Sequence, residues 1–134
     1  MDTKRAYPII LKKDDSGYYV VIPDFDIGTQ GATVVEAIEM ARDAIGLMGI
    51  DMQDDGDQLP EPYSRKAEKE EGDIETLVDV DFVEYRKKVD NRAVKKNCTI
   101  PYWISVEADK ANINYSRILQ DALVKQLGLV QNTI

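Results

Sequence analysis

The stretch from Ala93 to Leu129 constrains this chain most, because it is patterned for regular structure yet is too short, at roughly 35 residues, to bury a core alone. In Ala93 to Ile100, β-branched and small residues alternate with polar ones, which predicts a strand. Pro101 ends it, since proline cannot donate to a ladder, and opens a helix expected to reach about Ala111, with Ile104, Ala108 and Ala111 on one face. Asn112-Ile113-Asn114 breaks that helix. Asn114 then caps a second one, in which Tyr115, Ile118, Leu119, Ala122, Leu123 and Leu127 recur at helical spacing until Gly128. A single strand leaves both backbone edges unpaired. The simplest remedy is a second copy whose strand lies antiparallel to the first, with the helices of both covering one face of the ribbon. By the two-residue period of a strand, Cys98 and Ile100 fall on the covered face and Lys95, Asn97 and Thr99 on the open one.

The strand ending in Ile100-Pro101, the helix after it, and the Ile113-Asn114-Tyr115-Ser116 turn into a second helix resemble the ribbon-helix-helix DNA-binding domain. The resemblance implies that the ribbon enters the major groove and that Lys95, Asn97 and Thr99 read base edges. It also implies that the opening of the second helix, Asn114, Tyr115 and Ser116, holds a backbone phosphate, as helix N-termini do. Asn112 stands where the family usually has glycine, a mild departure because asparagine tolerates the left-handed conformation.

Charge divides the chain. Arg92 to Ile134 holds six basic and three acidic residues, net +3, whereas Met1 to Ser64 holds five basic and thirteen acidic, net −8. Phosphate neutralisation dominates nucleic-acid affinity, so the C-terminal part alone suits DNA. The bland alternative makes Ala93 to Leu129 a packing element with Lys95 a solvated charge.

The 134 residues fit a domain of about 90 residues plus a small appendage, divided here as 1–90 and 91–134. The single cysteine excludes an internal disulfide, no secretory signal or bilayer-length apolar run is visible, and a cytoplasmic location is expected. With no histidine, the commonest general base and metal ligand is missing, and no enzymatic activity or cofactor is expected.

In the N-terminal part, Tyr7 to Lys13 and Tyr18 to Ile22 flank Asp14-Asp15-Ser16-Gly17, a hairpin pattern. Pro8 lacks an N–H and places the first strand's opening at an edge. A weak third strand is expected from about Ile27 to Gly31. Thr33 to Glu36 forms a capping box, with Val34, Ile38, Ala41, Ile45 and Met48 as the buried stripe of a helix of about sixteen residues. Residues 51–73 are rich in Asp, Gly, Pro, Glu and Lys and predict a mobile loop. Ile74 to Val80 reads as a strand, and Asp81 with Glu84 caps a short helix carrying Phe82, Tyr85 and Val89. The class is α+β, in the order β-β-β-α-β-α followed by β-α-α.

The runs Tyr18-Tyr19-Val20-Val21-Ile22-Pro23-Asp24 and Thr29-Gln30-Gly31-Ala32-Thr33, the helix opening Glu36-Ala37, and Asp79 to Arg86 together resemble the HicB-type antitoxins. That resemblance covers nearly the whole chain. It implies a partial RNase H-like N-terminal domain that binds and masks HicA, a small basic mRNA-cleaving toxin, while the C-terminal domain forms a homodimer, or a higher oligomer, and represses its own operon at operator DNA. Between Pro23 and Thr29 the usual Gly-Cys-like pair gives way to Phe25-Asp26-Ile27-Gly28, one residue shorter. The acidic N-terminal part independently suits a basic partner, although its contact residues are not assigned. Two other readings are a ligand-sensing regulator and a metal-dependent hydrolase using Asp24, Asp26 or the cluster Asp51, Asp54, Asp55 and Asp57. The cluster lacks calcium-loop spacing, and local turn-capping accounts for Asp24 and Asp26.

Overall fold

In a computed structural model, which describes residues 3–90 and 92–129, the chain forms two units that divide at this gap. The first contains β1 (Lys4–Asp14), β2 (Gly17–Ile22), a short 3-10 turn (Pro23–Phe25), β3 (Ile27–Gly31), α1 (Val34–Asp54), β4 (Ile74–Asp81) and α2 (Phe82–Val89). The second contains α3 (Tyr102–Lys110) and α4 (Tyr115–Leu127). The first unit thus has the expected order β-β-β-α-β-α. Its strands form one antiparallel sheet in the order β3-β2-β1-β4.

One face of the sheet carries Tyr7, Ile9 and Leu11 of β1, Val20 and Ile22 of β2, and Val78 and Val80 of β4, all buried. This alternation is what a strand with one face on a core requires. Against it pack Ala37, Ala41 and Ile45 of α1, with Val34, Ile38 and Met48 half-buried beside them. The predicted stripe is therefore present, though its centre shifts to the small residues Ala37 and Ala41, which let the helix approach the sheet. Tyr7 meets Phe25 edge to face at 4.8 Å between ring centroids. Burying each such side chain contributes about 1.5–3 kcal/mol, so these rings and aliphatics hold the unit together.

Local signals set the helix starts. Thr33 Oγ1 accepts the Glu36 amide at 3.1 Å, and the Glu36 carboxylate reaches back to the Ala32 amide at 3.1 Å, one residue earlier than the simple capping box places it. Asp81 Oδ1 accepts the amides of Val83 and Glu84 and the Thr3 hydroxyl.

Three expectations meet different outcomes. The first holds: β1 is an inner strand farther on, but its opening is an edge on the β2 side, where Pro8 lies opposite Leu77 of β4, before the β2 ladder begins at Ile10. Its missing N–H is accommodated where only one neighbour pairs. Second, α1 does not stop near residue 50 but continues through Asp54, so 51–54 is helix and only the remainder of 51–73 is loop. Arg86 of α2 holds that last turn, through Asp54 at 2.8 Å and the Ile50 carbonyl at 3.3 Å, a tertiary contact that overrides composition. The two helices can meet because Gly46 and Gly49 of α1 leave room: a Cβ at Gly49 would lie 2.1 Å from the Phe82 ring and one at Gly46 would lie 2.7 Å from that of Tyr85. Third, the strand expected over Ala93 to Ile100 is not formed in the single chain. Residues 92–101 make no ladder, because extended backbone becomes a strand only against a partner.

Candidate nucleic-acid interface

The α3–α4 hairpin follows its sequence signals closely. Pro101 precedes α3 with φ −57°. Asn112 adopts the left-handed conformation at φ 56°, the Asn112 amide donates to Asp109, and the Ile113 amide donates to Ala108, so the turn closes with the paired hydrogen bonds of a glycine-type helix stop. Asn114 then caps α4, its Oδ1 accepting the Arg117 amide at 3.0 Å. Gly128 ends α4 at φ 67°.

Lys95, Asn97 and Thr99 alternate along the extended segment before α3, and all three are exposed. Lys95 and Lys96 pair with no carboxylate among the described residues, while Glu107 pairs with Lys110 and Asp121 with Arg117. The acids of this unit are thus engaged locally, leaving positive charge on the segment before α3. At the opening of α4 the candidates separate by role. Asn114 uses its oxygen as a cap and Tyr115 donates its hydroxyl to Asp109 at 2.5 Å, which raises the phenol's pKa, whereas Ser116 is exposed. Cys98 and Ile100, expected under a ribbon, are exposed in the single chain.

The hydrophobic faces of α3 and α4 are largely exposed. Neither helix has a buried residue, and Ile118, Leu123 and Leu127 are 52%, 48% and 41% exposed. Such a stripe at helical spacing is an exposed apolar face of an amphipathic helix. Tyr102 and Trp103 lie on the surface as well.

The first unit holds a feature that sequence reasoning missed. Asp24, expected to cap its own turn, is instead the buried anchor of the 61–65 loop. Its carboxylate accepts the amides of Tyr63 at 3.0 Å and Arg65 at 3.1 Å and the Ser64 hydroxyl at 3.2 Å. Tyr7 adds a hydrogen bond to the Pro60 carbonyl at 2.9 Å, and burial raises the Tyr7 phenol's pKa. Arg65 belongs to this clamp, and its guanidinium lies 3.8 Å from the Asp26 carboxylate. Proline beside Asp24 signalled a turn. Nothing in the sequence signalled a partner some forty residues away.

The model of the HicB-like antitoxins of bacterial toxin-antitoxin systems matches residues 7–123. A 14.9 kDa protein of the rep-hol intergenic region of Haemophilus phage HP1 is 35% identical over 101 residues, which is 71% of this chain and 72% of that protein. Among solved structures, a toxin-antitoxin complex from Streptococcus pneumoniae aligns with TM-score 0.56 at 24% identity over 92% of this chain and 99% of that one. The antitoxin HicB of Burkholderia pseudomallei aligns with TM-score 0.50 at 24% identity over 92% and 98% of the two chains. At this identity the likenesses are of fold. By the match over residues 7–123, the chain belongs to the HicB-like antitoxins of bacterial toxin-antitoxin systems.

Proposed function

We propose that this chain neutralises a small basic HicA-like mRNA-cleaving toxin by masking it with an N-terminal partial RNase H-like domain, and that it represses its own operon. Repression works through a C-terminal ribbon-helix-helix homodimer bound to operator DNA, with assembly into a higher oligomer open to it. The protein acts in the cytoplasm and is not an enzyme. The observation that carries the DNA-binding half is the α3–α4 hairpin with no buried residue, preceded by a segment, Ala93 to Ile100, that forms no strand ladder among the described residues. A second copy remedies both deficits at once, since antiparallel pairing of the two segments completes a ribbon and the apolar faces of four helices close a core. Lys95, Asn97 and Thr99 then share the ribbon's open face, and the amides opening α4, with Ser116, lie at a helix N-terminus where a phosphate is favoured.

The masking half is supported by family membership and by the acidity of the first unit, since opposite fields speed encounter and suppress wrong partners. Among the described residues no helix is long and apolar enough to cross a membrane. The test is a gel-shift assay on the chain's own promoter with Lys95→Ala and Asn97→Ala. Both are expected to abolish the shift while toxin binding stays intact. Wild-type operator affinity in both variants would refute the ribbon.

A further inference from the structure

Between the 61–65 loop and the C-terminal half of α1 lies a cavity of about 370 Å³, lined by Phe25, Met48, Met52, Gln58, Ser64 and Arg65 among others. Phe25, Met48, Met52 and Pro60 give it an apolar side, pliant because unbranched thioethers adapt to what they pack against, and Asp24, Gln58, Ser64 and Arg65 give it a polar one. Next to Ser64 in the chain stands Tyr63, 64% exposed, in the left-handed conformation at φ 63°. A non-glycine residue held there is uncommon, and such conformations persist where the surroundings over-determine them, often at clamps and binding sites. Here the surroundings are Asp24 on the loop's amides and Tyr7 on Pro60, so the loop presents Tyr63 in one fixed conformation rather than many.

We propose that this cleft, with Tyr63 as its anchor, is the docking site for the basic toxin, a proposal that rests on the antitoxin reading above. A preformed cavity beside a rigid exposed tyrosine has the anatomy of a binding hot spot, since aromatic anchors dominate interface energetics and loops already ordered lose little entropy on binding. Charge selects the occupant. From Asp51 to Glu61 the chain carries Asp51, Asp54, Asp55, Asp57 and Glu61 and no basic residue. The first three sit at the C-terminal end of α1, whose last turn holds no basic residue, although the helix dipole there disfavours negative charge. Arg86, Arg5 and the cavity's own Arg65 offset Asp54, Glu61 and Asp26, while Asp51, Asp55 and Asp57, close in the chain to the lining residues Met52 and Gln58, have no ion pair among the described residues. An arginine or lysine of the partner can lay its aliphatic stem on Met48 and Met52 and leave its cation among these carboxylates.

The test measures binding of the full-length chain to the toxin encoded beside its gene, by titration calorimetry at two salt concentrations. Tyr63→Ala is expected to weaken binding by about 30-fold or more. Tyr63→Gly, which accepts the same backbone conformation freely, should do the same. Both should keep the wild-type melting temperature and operator shift. Asp57→Lys should weaken binding and flatten its salt dependence. If wild type binds tightly and all three variants match it, the cleft is overturned and the antitoxin reading stands. If wild type does not bind that toxin at all, the antitoxin reading fails, and the docking site fails with it.

Discussion

Asp24 accepts the backbone amide of Tyr63 at 3.0 Å across 39 residues of chain, and the same carboxylate takes the Arg65 amide and the Ser64 hydroxyl. A buried carboxylate with three donors is stable only while every partner is present. Removing it leaves the donors of the loop without an acceptor and leaves the strained conformation of Tyr63, which costs about 1–3 kcal/mol, with nothing to hold it. Asp24→Ala is therefore expected to destabilise the first unit by about 2–4 kcal/mol in urea unfolding, and to open a protease-sensitive site between residues 61 and 65. A loss below about 0.5 kcal/mol, the range of ordinary surface changes, would show that the loop is held by other contacts.

What was legible in the sequence and what was not divide by distance along the chain. Thr33, Asp81 and Asn114 were readable as caps because each accepts from an amide two or three residues on, and Asn112 was readable as a left-handed stop for the same local reason. The hairpin of β1 and β2 was readable from its turn residues, and the spacing of Ala41 and Ile45 marked the core face of α1. The Asp24 clamp was hidden, since its partners are set by how the loop returns to the 3-10 turn. The length of α1 was hidden by the acidic composition of 51–54, which Arg86 compensates from another helix. The opening of β1 follows the proline rule, since the β2 ladder stops short of Pro8, while nothing local signalled that the rest of β1 is an inner strand. In the second unit the helices and their stops were legible, whereas the strand expected over Ala93 to Ile100 is not formed, because strand pairing needs a neighbour that local sequence does not supply.

Tyr85 of α2 donates its hydroxyl to Asp43 of α1 at 2.5 Å. Burial first, and then this bond to a carboxylate, push the phenol from 10.0 up to about 12. Between those values the unfolded chain has lost the Tyr85 proton while the folded chain retains it, so the unfolded state binds fewer protons and stability falls as pH rises. Below pH 10 the contribution is fully present. Melting temperatures measured from pH 9 to 12 should decline more shallowly in Tyr85→Phe than in wild type, beyond any offset at neutral pH, where the lost bond costs about 1 kcal/mol. Parallel declines would mean that Tyr85 ionises as freely in the folded chain as in the unfolded one.

The second unit should behave differently from the first when diluted. α3 and α4 bury none of their own residues, so folding of this unit must be linked to whatever covers Ile118, Leu119 and Leu123. If that cover is a second copy, mass action makes its stability depend on protein concentration, by about 1.4 kcal/mol of dimer for each tenfold change. The core around Tyr7, Ile9 and Ile45 closes within one chain, and its melting should not respond to dilution. Two transitions are expected in wild type, one that shifts with concentration and one that does not. Leu123→Asp places a charge on the uncovered face and should yield a monomer by sedimentation, lose the concentration-dependent transition and lose the operator shift, while the first transition and toxin binding remain. A wild-type monomer at micromolar concentrations, with a single transition indifferent to dilution, would require some other partner to cover α3 and α4.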